Sequence, residues 1–109
     1  MKTRREQILQ ILRETRGWVR VKEICSKLGI LDEQGVYNDL KHIARTVSTQ
    51  TNRKQFISML SPRCINCGYE FRKVKEPRCP SKCPKCKSER IDPPAFRMTI
   101  TKKAKRGYR

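Results

Sequence analysis

Four cysteines constrain this chain more than anything else in it. Cys64-Ile65-Asn66-Cys67-Gly68 is followed, after a gap of fifteen residues between the pairs, by Cys83-Pro84-Lys85-Cys86: C-x2-C-x15-C-x2-C. A two-residue gap lets both sulfurs of a pair reach one ion from a single tight turn. The longer gap lets the chain run out as a hairpin and return opposite the first pair, the spacing of a tetrahedral four-thiolate zinc site. Gly68 stands where such a turn needs positive φ, and Pro84 fixes φ after Cys83 without adding a backbone donor. Cys79 competes for a ligand place, because Cys79/Cys83 is also a close pair. The two-residue spacing favours Cys83 and Cys86, leaving Cys79 a spare thiol near the site and Cys25 a small apolar residue of a helix.

A chain of 109 residues with 36% hydrophobic residues has material for one modest core, so a metal that supplies part of the folding free energy fits. The formal net charge is +17. Residues 1–60 hold 12 Lys/Arg against 6 Asp/Glu, and residues 61–109 hold 15 against 4. Solubility needs far less charge than this; a polyanion, nucleic acid first, is the expected partner. The sequence lacks an apolar run long enough to span a membrane and an N-terminal signal segment, which points to a cytoplasmic protein. Six cysteines in a reducing compartment then read as metal ligands and free thiols, not disulfides.

Thr3-Arg4-Arg5-Glu6 is a capping box, and Ile8, Leu9, Ile11 and Leu12 form a helical stripe, so a first helix is expected over about 4–15 with Gly17 as its stop. Trp18 to Val21 reads as a short strand with Trp18 filling the core. A second helix spans about 22–28, Gly29-Ile30-Leu31 turns the chain, and Asp32 caps a third helix to about Val47. Two helices joined by a short glycine-containing turn are a helix-turn-helix arrangement. On the third helix Val36, Leu40, Ile43 and Val47 share one arc and face the core. Gln34, Asn38, Lys41, His42 and Arg45 lie opposite, with the amides and cations that base edges and phosphates require. Asp32, Glu33 and Asp39 count against a close fit to DNA.

Residues 56–60 read as a strand, and Phe96, Met98 and Ile100 alternate with Arg97 and Thr99 at a period of two. An antiparallel pair, 56–60 with 95–100, is the economical arrangement, with 61–92 inserted at its tip. The fold expected is α+β: a winged helix-turn-helix of three helices plus a small antiparallel sheet from residues 1–60 and 93–100. A four-cysteine zinc ribbon, 61–92, sits in the wing, and 101–109 forms a basic flexible tail.

With this order of elements, the segment Val36-Tyr37-Asn38-Asp39-Leu40-Lys41-His42-Ile43 and the paired cysteines, the chain resembles archaeal predicted transcriptional regulators in which a rubredoxin-like zinc ribbon is lodged in the wing of a winged helix. The resemblance implies DNA-linked regulation. The expectation is therefore a regulator that binds double-stranded DNA, holding one structural Zn²⁺ through Cys64, Cys67, Cys83 and Cys86. Its DNA contacts would come from Gln34, Asn38, Lys41, His42 and Arg45, and its phosphate contacts from Arg20, Arg53, Lys54, Arg72, Lys73, Lys75, Lys85 and Lys87. The alternative is an adaptor whose ribbon docks on proteins of the transcription or translation machinery. Four thiolates also suit a rubredoxin-type iron; Lys87, in place of a second knuckle glycine, and the basic charge argue against it. A closed four-cysteine site has no open position for water. With one histidine and no phosphate loop or nucleophile elbow, neither an enzyme nor a small-molecule substrate is expected.

Overall fold

The computed structural model describes residues 2–100, and the basic stretch 101–109 expected as a tail lies outside them. Three helices and a three-stranded antiparallel sheet enclose one core, and a smaller ribbon emerges from the tip of the sheet.

Helix α1 (Arg4–Glu14) starts as its capping box dictates: Glu6 N–H donates to Thr3 Oγ1 at 3.2 Å, and Thr3 N–H donates to Glu6 Oε1 at 2.8 Å. It ends before Gly17. Thr15, in extended backbone, closes the last turn by donating its hydroxyl to the Ile11 carbonyl at 2.8 Å. Strand β1 (Val19–Arg20) is only two residues long. Trp18 does not fill the core. Val19 and Val21 are inside, each 1% exposed, while Trp18 is 38% exposed with the Arg97 guanidinium 5.2 Å from its ring centroid. Alternation around β1 decides this: with Val19 inward, its neighbour Trp18 must face out.

Helix α2 (Val21–Leu28) ends at Gly29, whose φ of 69° is the left-handed conformation that a glycine stop supplies. Helix α3 (Glu33–Gln50) is capped by Asp32, which accepts from Gly35 N–H at 2.9 Å, and it continues past Val47 to Gln50. Val36, Leu40, Ile43 and Val47 are buried as the helical stripe requires, and Tyr37 joins them, edge-on to Phe96 at 6.4 Å.

Asp39 is buried at 5% exposure. It accepts from Arg4 Nε at 2.5 Å and Arg5 Nε at 3.1 Å, tying α3 to the first turn of α1. Its carboxylate raises the Arg4 pKa above the usual guanidinium value, chiefly through that hydrogen bond. Asp39→Asn should therefore destabilise the helical core by about 1–2 kcal/mol, the arginines being partly solvated, as read by the urea midpoint.

Strands β2 (Gln55–Leu60) and β5 (Ala95–Ile100) pair along their whole length, from Gln55↔Ile100 to Leu60↔Ala95. Strand β1 adds to the other edge of β5 through Val19↔Phe96 and Arg20↔Ala95, giving the order β1-β5-β2. Between the paired ends Leu60 and Ala95 the chain forms the ribbon. There β3 (Arg63–Cys64) pairs with β4 (Ile91–Asp92). The ribbon has a core of its own, Cys64, Phe71, Val74 and Cys83, and Met59 packs against both this cluster and the helical one.

Candidate metal centre and the polar face of the third helix

The four cysteines of the paired motif come together at the ribbon end. Their sulfurs all lie within 4.8 Å of one another, with Cys64 Sγ to Cys86 Sγ at 3.5 Å and Cys67 Sγ to Cys83 Sγ at 3.6 Å. A tetrahedral ion with metal–sulfur bonds of about 2.3 Å places its sulfurs about 3.8 Å apart, so the set fits such an ion. Cys79 and Cys25 stay outside the cluster: Cys79 is exposed with its thiol toward the Pro80 carbonyl, and Cys25 is buried in α2.

Two matching turns build the site. Cys64 N–H donates to Tyr69 O at 2.8 Å and Gly68 N–H to Cys64 O at 2.9 Å. In the second turn Cys83 N–H donates to Ser88 O at 2.8 Å and Lys87 N–H to Cys83 O at 2.9 Å. The pattern repeats at the same offsets, and φ is 80° at Gly68 and 66° at Lys87. Lys87 thus takes the left-handed position that the first turn gives to glycine. The second knuckle is complete, and Lys87 does not argue against a rubredoxin-like site. A side chain there carries strain of about 1 kcal/mol. Lys87→Gly should raise the thermal stability of the metal-loaded protein by about 1 kcal/mol, measured by calorimetry.

Amides around the sulfurs favour thiolates. Lys85 N–H and Cys86 N–H point at Cys83 Sγ, at 3.3 and 3.5 Å, and the Asn66 side-chain amide reaches Cys86 Sγ at 3.5 Å. That Asn66 contact, with the Ser88 amide, brings Cys86 down to about 6. At Cys67, which is exposed, the Tyr69 amide acts downward, but loss of hydration at the sulfur and the neighbouring thiols of Cys86, Cys83 and Cys64 outweigh it and the group rises to about 12. Asn66 escaped the sequence reading, although a polar residue inside a two-residue cysteine gap was the available signal.

On α3, Gln34, Asn38, His42 and Arg45 are exposed. Gln34 and Asn38 touch through their amides at 3.5 Å. His42 leans toward α1, lining a groove with Arg5, Leu9 and Ile43. Lys41 is paired instead, 3.2 Å from Glu76 of the ribbon, with both side chains about half exposed. Tyr37 and Cys79 line one cavity with Glu33, so the ribbon segment around 76–79 folds back beside the start of α3. Arg53 and Lys54 follow α3 in an exposed turn, and Lys73 and Lys85 are exposed on the ribbon. Arg20 faces Asp92 at 3.3 Å. The acids that opposed a DNA fit are largely engaged: Asp39 by Arg4 and Arg5, Asp32 by the helix cap and Arg4 at 3.4 Å. Glu33 remains exposed at the start of the helix.

Residues 3–57 match the family described as PF0610-like, N-terminal, and residues 62–102 match the PF0610 rubredoxin-like zinc beta-ribbon domain. The chain is also similar to the solution NMR structure of protein PF0610 from Pyrococcus furiosus. Identity is 29% over 90% of each chain, with a TM-score of 0.66.

Proposed function

The chain belongs to the PF0610-like family, and on that premise we propose that it is a transcriptional regulator that binds duplex DNA, with one structural zinc ion in its ribbon. The observation that carries this reading is the exposed face of α3, where Gln34, Asn38, Lys41 and Arg45 recur every third or fourth residue on the side away from the core. Asp39, the acid in the middle of that helix, is turned inward. Three helices followed by a hairpin support a winged helix-turn-helix, in which α3 enters the groove and the hairpin tip flanks it. The tip here is the ribbon, and Lys73 and Lys85 give it the cations to follow the phosphate backbone. The Lys41–Glu76 pair is too solvated to resist a phosphate.

The zinc would hold shape: four thiolates close its coordination and leave no position for water. As-isolated protein should be colourless with one zinc per chain; red protein carrying iron would overturn the assignment of the metal.

Fluorescence anisotropy with a labelled duplex, repeated from low to high salt, tests the DNA reading. Binding should weaken with a slope of about −0.9 per neutralised phosphate in log K against log salt. Absence of binding at about 50 mM salt would overturn it. A second reading, an adaptor that docks through its ribbon, is favoured by one observation: Ile65, inside the first cysteine turn, is 61% exposed. Ile65→Ser would then abolish capture of proteins of the transcription or translation machinery while leaving duplex binding unchanged.

A further inference from the structure

The two faces of the three-stranded sheet are covered unequally. Toward the helices, Val19, Ile57, Met59, Phe96 and Met98 pack into the core. The register sets the opposite face: Phe56 stands across from Thr99, Ser58 from Arg97 and Leu60 from Ala95, so these six side chains share it. The Ser58 and Thr99 hydroxyls meet there at 2.6 Å. Trp18, stacked with Arg97, completes the row. Among the described residues Trp18, Phe56 and Leu60 join neither core cluster, and they are 38%, 38% and 47% exposed. Basic groups stand at both ends of this face. Lys54 precedes β2 at the Phe56 end, and beyond Leu60 a cleft of about 660 Å³ is lined by Arg20, Arg63, Arg72 and Lys75. Glu70 and Asp92 line it too, but they pair with Arg72 and Arg20, and Arg63 and Lys75 have no ion-pair partner among the described residues.

We propose that this face is a stacking platform for single-stranded RNA. Exposed flat rings on a sheet accept unpaired bases with little regard to sequence, and the plane of an arginine guanidinium adds a further stacking surface. Trp18, the Arg97 laid against it and Phe56 supply three such surfaces across three strands, a span of about 10 Å. The phosphates would run toward the cations at either end. The Ser58 and Thr99 hydroxyls lie between Arg97 and Phe56, where a ribose 2′-OH, donor and acceptor at once, finds partners; that is the ground for RNA over DNA. A duplex keeps its base faces stacked inside, and a second copy of a chain with formal net charge +17 is repelled. The core lies between this face and the polar face of α3, so the platform goes beyond the duplex reading and does not depend on it.

Trp18 is the single tryptophan of the chain, so its fluorescence reports stacking directly. The full, metal-loaded protein is titrated with a uridine octamer at about 50 mM salt, and saturable quenching of Trp18 is expected. Binding of the same octamer carrying fluorescein, read by anisotropy, should weaken about tenfold in Phe56→Leu, which keeps an apolar side chain and removes the flat ring. A deoxyuridine octamer should bind severalfold more weakly than the RNA, and Ser58→Ala should narrow that gap. Unaltered circular dichroism of both variants excludes misfolding as the cause. Three results would overturn the proposal: no quenching by the RNA, equal binding of an abasic strand of the same length, or unchanged binding in Phe56→Leu. Equal affinity for the two octamers would overturn the choice of RNA. A dimer in analytical ultracentrifugation that Phe56→Ser dissociates would overturn the platform in favour of self-association. Duplex binding should be unchanged in Phe56→Leu, so failure here and failure of the DNA reading are distinguishable.

Discussion

Stripping the metal with a chelator, or substituting Cys64→Ser, should unfold the ribbon and leave the three helices standing. The ribbon has two strands of two residues each, and its own core is four residues, two of them the metal-binding Cys64 and Cys83. Burial of Phe71 and Val74 does not by itself offset the conformational entropy of ordering a segment of this length, so the ribbon depends on its metal for order. The helical core does not draw on the metal: Ile8, Leu12, Ile24, Leu40 and Phe96 are all at most 1% exposed, and among the described residues Met59 alone packs on both clusters. Amide NMR signals from about 61–92 should therefore collapse on chelation while the helical circular dichroism persists. Loss of the helical signal would show that the two cores fold as one unit. Acidification should release the metal in the same way, because protons compete for the thiolates that hold it.

The second large effect tests the proposed binding of duplex DNA. Arg45→Glu replaces an exposed cation on α3 with an acid and touches no core residue. Duplex affinity should fall by about tenfold or more, and the salt slope should shrink by about 1. Glu76→Ala should act oppositely but weakly: it removes an exposed acid 3.2 Å from Lys41, beside the face a phosphate would approach, and should tighten binding by about twofold. An unchanged affinity in both variants would mean that α3 is not the DNA-reading element, and unaltered helical circular dichroism would show that neither result came from misfolding.

Local signals in the sequence were reliable where they were closed by neighbours. The Thr3/Glu6 box, the Val36–Val47 stripe and the two-residue cysteine gaps each state a geometry within a few positions, and each is present; the period of two predicts strand β5 correctly, but its inward set stops at Phe96 and Met98, and Ile100 is 58% exposed. What escaped depends on residues distant in sequence. Trp18 looks like core until β5 brings Val19 and Phe96 opposite each other. Asp39 looks like an obstacle to DNA until α1 packs against α3 and supplies two arginines from 34 and 35 positions away. Lys41 looks free until the ribbon returns Glu76 to it. Lys87 shows a different limit: residue identity argues against a left-handed φ, but the bonds around Cys83 impose it. For the candidate DNA face, the sequence indicated the residue types on α3 but not which of them have partners.

The full-length pairing of β2 with β5 has a consequence for how fast the protein folds. Gln55 and Ile100 must find each other across the whole of the ribbon, and long closures of this kind slow strand pairing. A metal already clamped between Cys64 and Cys86 removes the stretch between them from the search. The loop from Leu60 to Ala95 is then shortened to its two flanks, which lowers the closure cost by about 1 kcal/mol. Refolding of the denatured chain should accordingly run several times faster with zinc present than with zinc withheld, as read by stopped-flow fluorescence of Trp18.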